Sequence, residues 1–104
     1  MTNQPISEEY RVVAKAWVDA EAAASLLEDT KSAVLAQKMA ALGDMPVSKA
    51  EMQVKASNDW FEFVESTVEA REKANLLKVQ LEYIRMRSGE WQSAEASRRA
   101  EMKL

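Results

Sequence analysis

Apolar residues in the first part of the chain recur at alternating steps of three and four residues. The series is Tyr10, Val13, Trp17, Ala20, Ala24 and Leu27. Steps of this kind are the a/d spacing of a heptad repeat and predict one continuous apolar stripe on a helix. We therefore expect a first helix over residues 7–42. After Leu27 its stripe either weakens at Lys31 and Val34 or shifts to Leu35, Met39 and Leu42.

A second stretch of helical spacing follows and predicts a helix over residues 48–88. Its apolar face begins with Val54, Phe61, Val64 and Val68 and then drifts to Ala74, Leu77, Leu81 and Ile84. Further apolar residues fall outside both stripes, namely Val12, Val18, Leu26, Trp60, Phe63, Leu76, Val79 and Tyr83. Apolar surface on more than one side of a helix needs more than one neighbouring helix. Two copies packed as a four-helix bundle would supply these neighbours.

The segment between the two stretches has the composition of a bend over residues 43–47. Gly43 suits the left-handed conformation just past a helix C-terminus, and Pro46 cannot continue a helix. Ser48 and Glu51 have the spacing of a capping box at the start of the second helix. These features predict a long antiparallel helical hairpin.

The last part of the chain differs in pattern and in charge. Ser88-Gly89 interrupts the second stretch, and helical spacing resumes over residues 90–103 as a short third helix or a kinked continuation. Residues 85–104 contain five basic and three acidic side chains, which gives this segment a charge of +2. The predicted fold is thus all-α: a single domain over residues 1–104 with a long hairpin and a short C-terminal helix.

Composition excludes several classes of protein. The chain has no cysteine and therefore no disulfide framework. No apolar run approaches the roughly 18 residues of a membrane span, and residues 1–5 lack the pattern of a secretory signal. A net charge of −3 argues against nucleic-acid binding over the whole surface. We therefore expect a cytoplasmic protein that does not contact membranes.

The sequence offers no catalytic, cofactor or metal site. It has no histidine, no cysteine and no glycine-rich phosphate loop, so the usual groups of acid–base and nucleophilic catalysis are largely missing. Glu62, Glu65, Glu69 and Glu72 share one helical face, but carboxylate-bridged metal bundles normally add histidines from other helices. We interpret this face as solvated, with Glu69 and Lys73 placed for an i,i+4 ion pair.

Two groups of residues are candidates for contacts with other molecules. The expected oligomer or partner interface consists of Val13, Trp17, Leu27, Trp60, Phe61, Val64, Val68, Leu77, Leu81 and Ile84. Large aromatic residues such as the two tryptophans commonly anchor cores and interfaces. The alternative is nucleic-acid contact through basic and aromatic side chains, namely Arg85, Arg87, Trp91, Arg98 and Arg99.

The C-terminal third resembles a family of small helical proteins encoded by bacteriophages and prophages. The resemblance rests on residues 75–87, which read NLLKVQLEYIRMR, and on residues 98–104, which read RRAEMKL. It implies a bacterial host cytoplasm and a role through protein contacts. A resemblance to the WXG100 hairpins fails, because their bend contains Trp-x-Gly whereas this bend reads Ala41-Leu42-Gly43.

These observations together predict a non-enzymatic interaction protein. We expect a homodimer or higher homo-oligomer that binds a host or phage protein. The alternative is an accessory factor of recombination or replication that contacts nucleic acid through its basic C-terminal segment.

Overall fold

The protein forms an elongated hairpin of two long helices with a short helix between them. A computed structural model describes residues 5–102 as α1 (Ile6–Ala40), α2 (Val47–Lys55) and α3 (Asn58–Met102), with no strand in that range. Ion pairs between Glu9 and Arg87 and between Glu28 and Arg71 show that α1 and α3 run antiparallel. The radius of gyration is 23.2 Å, against about 13 Å for a compact domain of this length. The prediction of an all-α hairpin is confirmed.

One unbroken heptad series lines the side of α3 that faces α1. We call it the α3 seam; its members are Trp60, Phe63, Thr67, Ala70, Ala74, Leu77, Leu81, Ile84 and Ser88, and all are buried or half-buried. The facing side of α1 is the predicted series from Tyr10 to Leu27. Midway along the hairpin the core is made of Ala20, Ala24 and Ala74. The core is therefore narrow, because alanine fills little space.

The predicted position of Phe61 and Val68 on the seam is wrong. Both side chains are more than half exposed, whereas their neighbours Trp60 and Thr67 occupy the seam. One position along a helix is a rotation of about 100°, so Phe61 and Val68 lie on the flank. The heptad register set by the Ala74–Ile84 part of the seam continues back to Trp60 without the predicted drift.

The predicted single helix over residues 48–88 is also wrong, because the chain breaks between α2 and α3. Ser57 makes this break: its Oγ accepts a hydrogen bond from the Trp60 N–H at 3.2 Å and donates one to the Val54 carbonyl at 2.6 Å. A serine in this position satisfies a backbone donor at the N-terminus of the next helix. The predicted capping box does not form, since α2 begins at Val47 without a side-chain cap.

The predicted short C-terminal helix over residues 90–103 is a continuation of α3. The helix passes through Ser88-Gly89 without interruption and ends at Met102; residue 103 lies outside the described range. A single glycine costs a helix about 1 kcal/mol relative to alanine. The surrounding arginine, glutamate, methionine, glutamine and alanine residues favour helix strongly enough to offset that cost.

The two glycines should respond in opposite directions to the same substitution. Gly43 has a φ of +88° in the bend, as predicted, and this region is unfavourable for residues with a Cβ atom. Gly89 is helical, and a Cβ placed there meets no atom within 4 Å. We expect Gly43→Ala to destabilise the fold by about 1–2 kcal/mol, and Gly89→Ala to increase helicity. Thermal melts followed by circular dichroism test both changes, and a lower melting temperature for Gly89→Ala would contradict the helical assignment.

Candidate interaction surfaces

α3 extends well beyond α1 at the open end of the hairpin. α1 begins at Ile6, which lies near Ser88, and we call residues 89–102 the overhang. Fourteen residues of helix span about 21 Å. Every residue of the overhang except Glu95 is exposed. The overhang therefore lacks the packing that supports the rest of α3. Isolated helices shorter than about 12–15 residues are marginally stable in water, so a helix of this length gains little stability on its own.

A cavity of about 690 Å³ lies where the overhang leaves the hairpin. Ile6 and Tyr10 of α1 line one side, and Ile84, Arg85 and Trp91 of α3 line the other. The Arg85 guanidinium donates a hydrogen bond of 3.4 Å to the Tyr10 hydroxyl, and this contact raises the pKa of Arg85. The wall is thus mainly apolar and aromatic, with one cation at its edge and polar groups from Ser7, Ser88 and Gln92.

The structure separates the residues considered for nucleic-acid contact. Only Arg85 and Trp91 share the cavity. Arg87 pairs with Glu9 of α1, and its guanidinium carbon lies 5.8 Å from the centre of the Tyr83 ring. Arg98 pairs with Glu95 at 2.7 Å, while Arg99 is exposed one position further along. Two of the four arginines are therefore already matched by carboxylates of this chain.

Most of the predicted interface residues lie inside the hairpin. Trp60, Leu81 and Ile84 are buried, and the half-buried members are Val13, Trp17, Leu27, Val64 and Leu77. The Trp60 ring stacks on Phe63 with centroids 5.6 Å apart. Phe61 and Val68 are the two members that remain exposed. The hairpin itself thus uses most of the side chains that were expected to contact a second molecule.

A different line of residues, on the outer side of α3, is exposed along its whole length. We call it the outer line; it consists of Glu62, Glu65, Glu69, Glu72, Leu76, Val79, Tyr83, Met86 and Glu90. Each member follows a seam residue by two positions, a rotation of about 200°, so the outer line faces away from α1. Its half nearer the bend is acidic, and its other half is an apolar stripe from Leu76 to Met86 whose side chains are 60–66% exposed.

The sequence contained the signal for the outer line. Its apolar members follow steps of three, four and three, and the glutamates continue the same steps toward the bend. The sequence-based interpretation separates the acidic face from Leu76, Val79 and Tyr83, and it does not include Met86. The described structure shows no ion pair between Glu69 and Lys73, so the predicted pair is wrong there.

Arg71 connects the two long helices on one flank of the hairpin. Its guanidinium contacts both carboxylate oxygens of Glu28, through Nε at 2.9 Å and Nη2 at 2.7 Å, and contacts Glu21 through Nη1 at 2.6 Å. The hydrogen bonds from Arg71 lower the pKa of Glu28, and those to Glu28 and Glu21 raise the pKa of Arg71. Such a fork fixes the relative register of two helices.

This contact predicts acid-sensitive stability. Because the pKa of Glu28 is lower in the folded state than in the unfolded state, the unfolded state binds more protons as the pH falls. We expect the free energy of unfolding to decrease from roughly pH 5 to pH 3, with a shallower decrease in Arg71→Gln. Urea denaturation across this range measures the effect. Lys73→Gln, which removes an exposed cation nearby, should keep the wild-type slope; equal slopes in all three proteins would contradict the proposed linkage.

The described residues contain no group of three acidic side chains placed to hold a metal ion. None of the helices within residues 5–102 combines the length and apolar character needed to cross a membrane. No family model, curated protein or solved structure matches the chain.

Proposed function

We propose that the protein is a non-enzymatic interaction protein that binds another protein through the outer line of α3. The observation that carries this proposal is the exposed stripe of Leu76, Val79, Tyr83 and Met86, which lies opposite the hairpin core. Four large apolar side chains at helical spacing match the anchor pattern of helix-to-helix recognition. Contiguous exposed apolar surface of this kind commonly marks a protein-binding site.

The charge of the outer line specifies the kind of partner. The stripe continues into Glu72, Glu69, Glu65 and Glu62 on the same face. A complementary helix would carry apolar residues along one half and lysine or arginine along the other. Attraction between the charged halves would fix the direction in which that helix lies. The exposed side of α1 mixes Lys15 with Asp19 and Asp29 and has no basic half, which favours a different protein as the partner.

A designed helical peptide tests this surface directly. It carries four leucines at steps of three, four and three, followed by four lysines at the same spacing; a matched control peptide has glutamates in place of the lysines. We expect the lysine peptide to bind in fluorescence anisotropy, and to bind more weakly at high salt. Val79→Asp should abolish binding. Glu69→Lys/Glu72→Lys, which leaves the acidic half with no net charge, should remove the preference for the lysine peptide over the control peptide. Unchanged binding by Val79→Asp would refute the proposal.

We also propose that the protein forms a homo-oligomer and acts in the bacterial cytoplasm as a phage or prophage product. The unpartnered overhang supports self-association, and the resemblance of residues 75–87 supports the origin. Sedimentation velocity over a range of concentrations tests oligomerisation. A monomer of 11.7 kDa at every concentration would refute it.

Nucleic-acid contact is the second candidate, favoured by the position of Arg85 and Trp91 in one cavity. The pairing of Arg87 and Arg98 with carboxylates makes it the weaker candidate. Mobility shifts with single- and double-stranded DNA at two salt concentrations test it. Binding that falls steeply with salt and is lost in Arg85→Ala/Trp91→Ala would establish it.

A further inference from the structure

The overhang carries its own apolar and charged pattern on the side that continues the α3 seam. Extending the alternating steps beyond Ser88 reaches Trp91, Glu95, Arg98 and Met102. Within the hairpin this side of α3 is covered by α1, but α1 begins at Ile6 and does not reach along the overhang. The seam therefore continues for four further positions with no facing helix among residues 5–102.

We propose that a second copy of this chain supplies the facing helix, with the two overhangs packed antiparallel about a two-fold axis. The proposal rests on the homo-oligomer proposed above and specifies its interface. In antiparallel packing a residue at an a position of one helix faces a residue at a d position of the other. Only one register then pairs all four positions: Trp91 faces Met102 of the second copy, and Glu95 faces Arg98 of the second copy.

This register is complementary in both shape and charge. Each end of the interface pairs a tryptophan with a methionine, and sulfur–aromatic contacts are favourable. At the centre, two glutamates and two arginines alternate around the axis. The Glu95–Arg98 pair within one helix, at 2.7 Å, can remain while each residue also contacts its counterpart. On one flank Gln92 lies opposite Arg99, and on the other Ala94 lies opposite Glu101, so no like charges meet.

The cavity at the base of the overhang fits the same arrangement. Trp91 forms part of its rim, together with Ile6 and Tyr10 of α1. In the proposed register the Met102 side chain of the second copy arrives at Trp91 and hence at this rim. The end of each overhang would thus cover apolar surface on the other copy. The resulting particle is two hairpins joined end to end, in contrast to the side-by-side four-helix bundle predicted from the sequence.

Charge reversal tests both the interface and its direction. Glu95→Arg places four arginines at the centre of the dimer, and Arg98→Glu places four glutamates there. We expect each variant to raise the dimer dissociation constant about tenfold or more, measured by sedimentation equilibrium. An equimolar mixture of the two variants should restore dimers, because arginines of one chain then face glutamates of the other. The mixture still lacks the pair within each helix, so recovery reports contact between chains.

Glu90→Arg, on the outer line, is the matched control and should dimerise as the wild type does. Circular dichroism of each variant verifies that the helices are retained. If both reversed variants form dimers with the wild-type dissociation constant, the overhang interface is overturned, while self-association itself stands. A mixture that stays monomeric would overturn the overhang interface too. A wild-type protein that is monomeric throughout would overturn both proposals of self-association, whereas peptide binding to the outer line is measured independently.

Discussion

Trp60→Ala should destabilise the protein by about 3–5 kcal/mol, the range for emptying a large aromatic site in a packed core. Trp60 is 7% exposed; it begins the α3 seam and stacks on Phe63. The hydrogen bond from the Trp60 backbone N–H to the Ser57 hydroxyl does not involve the ring and is retained in this variant. Loss of the side chain therefore removes the buried ring and its contact with Phe63 from the seam, while the N-terminal cap of α3 stays in place.

The adjacent residue provides the control for this prediction. Phe61 is 62% exposed, so Phe61→Ala should cost less than about 1 kcal/mol in the isolated chain. Urea denaturation at low protein concentration measures both variants without a contribution from association. Similar losses from the two substitutions, or a larger loss from Phe61→Ala, would show that the seam passes through Phe61 as the apolar pattern first indicated.

The contrast between Trp60 and Phe61 shows where the apolar pattern alone could assign the buried face of a helix. The α1 series from Tyr10 to Leu27 was predictable because large residues occupy its positions at regular steps. In the first half of α3 the seam includes Thr67 and Ala70, which are weaker signals than Phe61 and Val68 on the flank. Counting back from Leu81 and Leu77 by alternating steps would have identified the correct positions, since a heptad register persists along an uninterrupted helix.

Local propensity explains two further errors, the single helix over residues 48–88 and the separate helix over residues 90–103. Ser57-Asn58-Asp59 is a cluster of residues that favour helix N-termini, and it marks the start of α3 in the middle of the predicted second helix. Gly89 is a weak helix former with helix-favouring neighbours, and its local signal overstated the interruption. At residue 57 the capping serine ends the helical pattern and starts a new helix. At residue 89 the helix continues despite the glycine.

The overhang could not be predicted from local patterns, because it depends on how the two long helices are aligned. α2 packs against α1 near the bend, with Ala50 and Val54 buried. This packing occupies the end of α1, so the long second helix starts only at Asn58. α3 still has 45 residues against the 35 of α1 and therefore reaches past Ile6 at the other end of the hairpin. The outer line, by contrast, needs only the helical period and was within reach of the sequence.

Ala24→Leu should destabilise the hairpin by about 1–3 kcal/mol, the usual cost of forcing a larger side chain into a packed core. Ala24 and Ala74 are both 0% exposed and belong to the same core cluster. Their small side chains allow α1 and α3 to approach closely, and a leucine would push the helices apart where Arg71 fixes their register. Ala22→Leu, on the exposed side of α1, should change the free energy of unfolding by no more than about 0.5 kcal/mol. Urea denaturation of both variants at low protein concentration measures the difference. A gain in stability from Ala24→Leu would mean that the helices leave room between them, and that the narrow alanine core is not what sets their separation.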